Sequence, residues 1–270
     1  MRTTDDGAHR LEAFFARLRA ARAPLLMLDY DGTLAPFRVE RDAAVPYPGV
    51  REALNQIVAA GRTRVAVVTG RAAHSLPPLL GLARPVEVWG SHGAERLRAD
   101  GAYEPARLPA AAAAGLDEAA AWLAGAGLAE RGERKPSAVA LHWRGLGRAE
   151  AARIAALAGP AWGAIARRAG LELRPFDGGL ELRAAGLDKG RAVRALLEEA
   201  GPDAAAAYLG DDLTDEHAFA ALRGRGLTVL VRPEPRETAA ELWIRPPDEL
   251  LRFLSRWHEA TTARSEQQGA

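Results

Sequence analysis

Leu-Leu-Met-Leu-Asp-Tyr-Asp-Gly-Thr, at residues 25–33, joins a short apolar run to a pair of acidic residues. An apolar run of this kind, without alternation, is typical of a strand that is buried on both faces of a parallel sheet. Comparable runs end at residues 68, 89, 209 and 231, and helical patterns lie between them. Alternating strands and helices predict the α/β class, with a Rossmann-like, doubly wound parallel sheet as the core.

Between residues 100 and 184 the sequence pattern differs from that of the predicted core. Ala-rich helices, an alternating strand at 137–144 and a hairpin around 176–179 indicate an α+β segment. We therefore predict a core formed by residues 1–99 and 185–260, with an inserted α+β domain at 100–184. The polar end of the chain, residues 261–270, is predicted to be a disordered tail.

The composition narrows the class of protein. The 270 residues include 36 Lys and Arg against 35 Asp and Glu, and they include no Cys. A net charge of +1 gives no basic field for a nucleic acid, and the lack of Cys excludes disulfides and Cys-ligated zinc. No uncharged apolar run approaches the ~18–20 residues of a membrane span, and the start of the chain lacks a signal-peptide core. We expect a cytoplasmic, monomeric protein without a nucleic-acid or membrane partner.

Polar residues follow the predicted strands at the end where doubly wound sheets bind their ligands. Asp29 and Asp31 end the first strand, and residues two apart on an extended segment point the same way. Thr69–Arg71 ends the second strand and offers a hydroxyl and free N–H groups to an anion. Gly210–Asp215 ends a later strand with three carboxylates, and Lys189 begins the helix before that strand.

Together these groups combine carboxylates, one ammonium group and a place for an anion. Carboxylates do not bind a phosphate unaided, so the set requires a hard, oxygen-binding cation, and Mg²⁺ is the cofactor that we predict. The expected metal residues are Asp29, Asp31, Asp211, Asp212 and Asp215. Which of Asp212 and Asp215 is a direct ligand stays open, because spacing alone does not distinguish them.

These motifs resemble those of the haloacid dehalogenase-like phosphohydrolases. The four motifs of that superfamily occur here in the same order, at Asp29–Thr33, Thr69–Arg71, Lys189 and Gly210–Asp215. Each lies at a predicted strand end or helix start, which makes a chance match of all four improbable. The resemblance implies a haloacid dehalogenase-like (HAD-like) core with an inserted cap domain of the C2 type.

The same resemblance implies a role for each motif residue. Asp29 would be the nucleophile that forms an aspartyl-phosphate, and Asp31 would be the general acid and base. Thr69, the Gly70 N–H and Lys189 would bind the phosphate oxygens. The Mg²⁺ ion would be held by the Asp29 carboxylate, the main-chain carbonyl of Asp31 and the Asp211 carboxylate, with the other two acids in support.

A narrower resemblance, from about Ala23 to Phe253, is to the trehalose-6-phosphate phosphatases. The stretches that carry this resemblance are 28–37, 91–95, 133–137, 141–144, 180–183 and 210–216. It implies that the substrate is trehalose 6-phosphate, hydrolysed to trehalose and phosphate in the last step of trehalose biosynthesis. It also implies that Glu133, Lys135 and Glu181 of the cap bind the sugar hydroxyls. We further expect His92 and Arg71 to contact the substrate.

Lysine usage agrees with this assignment. Lys135 and Lys189 are the two lysines of a chain whose other basic residues are all Arg, and both fall at predicted ligand positions. A compact ammonium group is not replaceable by a planar guanidinium at such positions, which favours retention of Lys. His142, on the alternating strand of the cap, is instead expected to be a packing or supporting residue.

Three alternatives stay beside this interpretation. A phosphatase of glucosyl- or mannosyl-phosphoglycerate, or of another sugar phosphate, would share the core motifs and differ only in the cap. A catalytically inactive regulatory module would lack one of Asp29, Asp31, Lys189 and Asp211, all of which are present. A response-regulator receiver domain would have neither a second Asp two residues after the first nor an inserted cap.

Overall fold

The structure, a computed structural model, describes residues 5–38, 40, 43–176 and 178–263. The chain divides into two compact units. The first unit runs to Glu104 and resumes at Asp188, and the second is Pro105–Leu187. The second unit is therefore contained within the sequence of the first, a few residues from the predicted limits of 100 and 184.

The first unit contains one large sheet with helices on both of its faces. Its helices are α1 (Asp5–Ala20), α2 (Val50–Ala59), α3 (Leu76–Leu80), α6 (Lys189–Ala200), α7 (Glu216–Leu222) and α8 (Asp248–Thr262). Its strands are β1 (Pro24–Leu28), β2 (Arg64–Val68), β3 (Glu87–Gly90), β4 (Glu95–Leu97), β5 (Tyr103–Pro105), β10 (Ala205–Gly210), β11 (Gly226–Val231) and β12 (Leu242–Ile244). In the described chain these strands lie in the order β12-β11-β10-β1-β2-β3-β4-β5.

The sheet is parallel from β12 to β3, and only the pairing of β4 with β3 is antiparallel among the pairings described. Every residue of β1 is buried, because apolar side chains cover the strand from both sides. One layer includes Phe15, Leu54 and Trp257 of α1, α2 and α8, and the other includes Val193 and Phe219 of α6 and α7. Burying each such large apolar side chain stabilises the fold by about 1.5–3 kcal/mol. The predicted α/β fold with a mostly parallel sheet is confirmed.

The second unit is an antiparallel sheet covered on one face by two helices. Its elements are α4 (Ala110–Gly125), β6 (Gly132–Lys135), β7 (Ala138–His142), α5 (Arg148–Ala169), β8 (Leu171–Phe176) and β9 (Gly179–Ala184). The strand order is β6-β7-β9-β8. Val139, Leu141 and Leu182 alternate along the strands and pack with Leu116 and Trp162 of the helices. The charged residues between them occupy the other face, since successive side chains of a strand point to opposite sides.

Two predicted boundaries differ from the structure for identifiable reasons. The inserted unit begins after residue 104, not at 100, because Tyr103 and Glu104 belong to β5 of the large sheet. The predicted tail was placed from 261 onward, whereas α8 continues to Thr262. Thr261 is buried there, and its hydroxyl donates to the Trp257 carbonyl at 3.0 Å. The rest of the predicted tail, 264–270, lies outside the described residues.

Within the described ranges, no helix combines the length and the apolar character that crossing a membrane requires.

Candidate active site

The carboxyl ends of β1 and β10 lie side by side at one edge of the large sheet. Leu28 pairs with Leu209 in the parallel register of these strands. The Asp29 amide then donates to the Leu209 carbonyl at 2.8 Å, which continues the pairing by one residue. Asp29 therefore leaves β1 beside Asp211, the residue that follows β10.

Asp29, Asp211 and Asp215 form a buried acidic group. Their relative exposures are 3%, 2% and 0%, and one carboxylate oxygen from each lies within 4.8 Å of the others. Burial away from water raises the pKa of Asp29 to about 6. Burial, together with the charges of Asp29 and Asp215, raises the pKa of Asp211 to about 9. Three carboxylates this close need a cation among them to stay ionised at neutral pH.

Lys189 supplies one cation to this group. It begins α6, and its ammonium donates to Asp29 Oδ1 at 2.6 Å and to Asp215 Oδ1 at 2.8 Å. Burial opposes the charge on Lys189, but the two carboxylates outweigh that effect and raise its pKa. The side chain of Asp188 caps the same helix by accepting from the Arg191 amide at 2.9 Å. The cap fixes the start of α6 and with it the origin of the lysine side chain.

The Asp215 carboxylate already accepts four hydrogen bonds. Its Oδ1 accepts from Lys189 and from the Tyr208 hydroxyl, the latter at 2.6 Å. Its Oδ2 accepts from the amides of Asp211 and Asp212 at 3.1 and 3.0 Å. Asp215 therefore holds both the lysine and the loop that carries Asp211.

Asp212 lies outside the buried acidic group. Its side chain is exposed and accepts from the Leu213 amide at 2.7 Å, as part of a capping box with Asp215. Of the two acids that spacing alone did not distinguish, Asp215 is therefore the one that shares the buried group with Asp29 and Asp211.

The Asp211 carboxylate has one oxygen to which no described residue donates. Within the described part of the chain, Asp211 Oδ1 is buried and has no hydrogen-bond partner. The other oxygen lies against Gly32, where an added Cβ would approach Asp211 Oδ2 to 2.1 Å. Gly32 has a φ of +89°, so this position favours glycine on both grounds. A buried, unpartnered carboxylate oxygen beside a second carboxylate is a donor set that fits a divalent metal ion.

Asp31 is joined to Arg71. The Arg71 guanidinium donates from Nε to Asp31 Oδ2 at 2.7 Å and from Nη2 to Oδ1 at 2.6 Å. The arginine side chain is 4% exposed and the aspartate side chain 25% exposed. The guanidinium carbon also lies 5.4 Å from the ring centroid of Tyr30. This two-pronged pairing fixes the orientation of the Asp31 carboxylate.

Thr69 and Gly70 lie at the end of β2, against a turn that follows β3. The His92 amide donates to the Thr69 carbonyl at 2.9 Å, and the Arg71 amide donates to the Thr69 hydroxyl at 3.2 Å. The His92 ring covers Gly70 so closely that an added Cβ there would lie 2.6 Å from His92 Cε1. His92 itself has a φ of +57°, a left-handed conformation that is uncommon outside glycine. The structure thus places the predicted phosphate segment and His92 in direct contact.

The predicted sugar residues of the second unit form a cluster on the charged face of its sheet. Glu133 and Glu181 both pair with Ala140 of β7 and share one row across the strands. Lys135 donates to Glu181 Oε1 at 2.9 Å, and its ammonium lies 3.9 Å from Glu133 Oε2. The three side chains are 46%, 22% and 16% exposed for Glu133, Lys135 and Glu181. They are therefore only partly removed from water and remain open to a ligand.

His142 also belongs to this cluster, beside Glu133, which is the supporting one of the two roles expected for it. Its side chain is 40% exposed, and Nε2 lies 3.1 Å from Glu133 Oε2. Its ring also makes an edge contact with Phe176 at 5.3 Å between centroids. The alternation of the strand contained the necessary signal, because His142 is two residues from Ala140 and so shares the charged face.

Comparison with known proteins gives a consistent result. A family model described as Trehalose-phosphatase matches residues 27–242. The trehalose-phosphate phosphatase of Mycobacterium marinum is 34% identical over 247 residues, which cover 86% of this chain and 61% of that protein. An uncharacterized glycosyl hydrolase of Mycobacterium tuberculosis is 35% identical over 254 residues, covering 88% of this chain and 18% of that protein. The chain thus spans less than two thirds of the length of these relatives.

A solved structure agrees with the sequence matches. The trehalose-6-phosphate phosphatase of Aspergillus fumigatus superimposes with a TM-score of 0.68 at 25% sequence identity. The match covers 93% of this chain and 97% of that one.

Proposed function

The chain belongs to the trehalose-phosphatase family, and on this premise we propose that it hydrolyses trehalose 6-phosphate to trehalose and inorganic phosphate. The observation that carries the proposal is the buried group of Asp29, Asp211, Asp215 and Lys189, within the segment that matches the family. Hydrolysis of a phosphate ester requires a nucleophile and cations that bind the phosphate oxygens. Asp29 supplies the carboxylate, Lys189 supplies an ammonium group, and Asp211 supplies an oxygen without a partner among the described residues.

In the proposed reaction, an Asp29 oxygen attacks phosphorus and the bond from phosphorus to the sugar oxygen breaks. Lys189 donates to Asp29 Oδ1, and the Thr33 hydroxyl makes a long contact with Oδ2 at 3.3 Å. Water then attacks the aspartyl-phosphate, which releases phosphate and restores Asp29. Thr69, the Gly70 N–H and Lys189 would bind the non-bridging oxygens during both steps.

Asp31 is proposed to give a proton to the leaving sugar oxygen and to take one from the attacking water. The Arg71 guanidinium orients the Asp31 carboxylate through two hydrogen bonds. To donate a proton, Asp31 would exchange at least one of these bonds for the substrate oxygen. The first role of Arg71 is therefore to orient Asp31. Arg71 would contact the sugar directly only after one of its bonds to Asp31 has been broken.

The proposed cofactor is Mg²⁺, held by Asp29, the main-chain carbonyl of Asp31 and Asp211. Asp211 Oδ1, to which no described residue donates, and the raised pKa of the Asp211 carboxyl support a cation at this place. Bound there, the ion would offset the negative charge of the phosphate and of the carboxylates. Asp215, with its four hydrogen bonds, and the exposed Asp212 would support the loop.

The sugar is proposed to bind to Glu133, Lys135 and Glu181, with His92 as a further contact. Two carboxylates accept from hydroxyl pairs, and an ammonium group donates to a hydroxyl oxygen. The Lys135–Glu181 bond supports this role, because it holds an ammonium and a carboxylate in one fixed arrangement on the sheet.

The test is phosphate release from a panel of esters by the full chain. The panel contains trehalose 6-phosphate, glucose 6-phosphate, glucosyl- and mannosyl-phosphoglycerate and p-nitrophenyl phosphate. We expect the highest kcat/KM on trehalose 6-phosphate and its loss in Asp29→Asn, whose amide does not attack phosphorus. Release from trehalose 6-phosphate at the level of Asp29→Asn would contradict the proposal. A preference for a phosphoglycerate would retain the reaction and change the substrate.

A further inference from the structure

Two arginines of the segment between β11 and β12 bind the main chain of the loop that carries Asp211. Arg232 Nη1 donates to the Asp211 carbonyl at 3.1 Å. Arg236 Nε donates to the same carbonyl at 3.4 Å, and its Nη2 donates to the Asp212 carbonyl at 2.7 Å. The Asp211 carbonyl therefore accepts from two guanidinium groups, and the bond from Arg236 is the longer of the two.

Arg236 is itself held in place from the other side. Its Nη1 donates to Glu216 Oε1 and to the Glu237 carbonyl. Glu216 also accepts from the Thr238 hydroxyl at 2.8 Å and from the Ala239 amide at 2.8 Å. Glu216 therefore connects the arginine segment to the start of α7, directly after the acidic loop.

The main chain of Asp211 is thus held at both its amide and its carbonyl. Its amide donates to Asp215 Oδ2 at 3.1 Å, and its carbonyl accepts from Arg232 and Arg236. These bonds set the direction of the Asp211 side chain, whose Oδ1 is buried and has no partner among the described residues. The arginine bonds end on main-chain carbonyls, so they constrain the geometry of the carboxylate without occupying it.

We propose that Arg236, assisted by Arg232, is a positioning residue that holds the Asp211 carboxylate ready for the divalent cation. The inference rests on the proposed function, because that function supplies the cation. Groups that orient metal ligands contribute about 10–100-fold to metal affinity. Glu216 acts indirectly, because it accepts from Arg236 and so anchors the arginine.

A competing explanation is that the guanidinium charges merely offset the buried carboxylates. The two explanations predict opposite effects. A cation near the site repels Mg²⁺, so removing charge alone would tighten Mg²⁺ binding, whereas loss of positioning would weaken it. Arg236→Lys separates them, since it keeps the charge but replaces the fork that reaches both carbonyls with a single point donor.

The experiment is a calorimetric titration of Mg²⁺ alone into the metal-free full chain. The variant is Arg236→Lys, and the matched control is Arg223→Lys, an exposed arginine at the end of α7. We expect Arg236→Lys to weaken Mg²⁺ binding about tenfold or more and Arg223→Lys to leave it unchanged. In steady-state kinetics, saturating Mg²⁺ should restore the kcat of Arg236→Lys at an unchanged KM for the ester.

Equal Mg²⁺ affinity in Arg236→Lys and Arg223→Lys overturns the inference and leaves the proposed function intact. Absence of Mg²⁺ binding by the wild type overturns both the inference and the metal part of the proposed function. If Arg236→Lys does not fold, Arg232→Lys, which likewise keeps the charge, replaces it in the same titration. Weaker Mg²⁺ binding by Arg232→Lys than by Arg223→Lys supports the inference, and equal binding overturns it.

Discussion

At the scale of single residues, Lys189 is a buried cation between two carboxylates. Its side chain is 3% exposed, and its ammonium group joins Asp29 to Asp215. Removing one partner of a buried ion pair leaves the other charge without a partner and out of reach of water. The resulting loss of folding stability is larger than that of an average core mutation.

Lys189→Met should therefore destabilise the protein by about 3–5 kcal/mol in metal-free buffer and abolish phosphate release. The physical reason is that Asp29, Asp211 and Asp215 would be left together without their cation. Urea unfolding measures the first effect, with Arg194→Met as control, because Arg194 lies on the same helix with a side chain that is 59% exposed. Equal unfolding midpoints for the two variants would show that the lysine does not stabilise the acidic group.

At the scale of elements, the amino ends of β2 and β3 are tied to α6 by a network of charges. Arg96 of β4 donates to both carboxylate oxygens of Glu199, at 2.7 and 2.8 Å. Arg64 of β2 donates to Glu199 at 2.6 Å and to Glu87 of β3 at 2.7 Å. These arginines lower the pKa of Glu199 to about 2.

The lowered pKa predicts a pH-dependent contribution of Glu199 to stability. A carboxyl whose pKa is lower in the folded state stabilises the fold, and the full effect is present at pH values above its ordinary pKa. For Glu199 that ordinary pKa is 4.5, and the stabilisation is lost as the pH falls through the folded pKa of about 2. The side chain is 38% exposed. Solvent screening therefore reduces the expected contribution to about 1 kcal/mol.

Glu199→Gln should lower the free energy of unfolding at about pH 7 and have less effect as the pH falls through about 2, because the carboxylate then becomes protonated in the folded state as well. Glu198→Gln, at an exposed position of the same helix, is the control. Urea unfolding of both variants over this pH range gives the comparison. A pH profile of Glu199→Gln parallel to that of the wild type would exclude the proposed linkage.

The strands that were recognisable from the sequence are those buried on both faces of the sheet, because such strands consist of continuous apolar runs. β1, β2, β10 and β11 are of this kind, and their runs were recognisable. β6 was not predicted, because Gly132–Lys135 is a short edge strand with three charged residues and no apolar one. Its register becomes defined only through pairing with β7.

The same distinction applies to the candidate site. Asp29 and Asp211 follow buried strands, so the strand ends indicated them, and Lys189 begins a helix whose pattern was recognisable. Arg236 donates to the main-chain carbonyls of Asp211 and Asp212. Every residue has such a carbonyl, so these bonds leave no pattern in a sequence. The pairing of Arg71 with Asp31 likewise joins residues 40 positions apart and depends on the tertiary fold.

At the scale of the whole molecule, two units with separate apolar cores are joined by two chain crossings. The proposed function divides the substrate in the same way, with the phosphate assigned to residues of the first unit and the sugar to residues of the second. The cytoplasmic location, the monomeric state and the absence of a nucleic-acid partner stay predictions from the sequence.

This division predicts that cap variants separate sugar recognition from phosphate chemistry. Lys135→Arg keeps the charge, but a planar fork replaces the compact ammonium that bonds Glu181 at 2.9 Å. A hydrogen bond to a charged group contributes about 1.5–3 kcal/mol, so kcat/KM for trehalose 6-phosphate should fall roughly tenfold to a hundredfold. Hydrolysis of p-nitrophenyl phosphate, which has no sugar, should change little.

Arg134→Lys is the matched control for this experiment, because it exchanges the same two head groups at the neighbouring position of β6. Arg134 is bonded to Asp117 and, by strand alternation, belongs to the opposite face from Lys135. Both esters should therefore be hydrolysed by Arg134→Lys as by the wild type.

Glu133→Gln and Glu181→Gln extend the series, since each removes one carboxylate charge from the cluster. If Lys135→Arg and both Gln variants keep the wild-type kcat/KM on trehalose 6-phosphate, the cluster does not bind the sugar. A parallel loss on both esters would instead mean that the second unit acts on the phosphate chemistry itself.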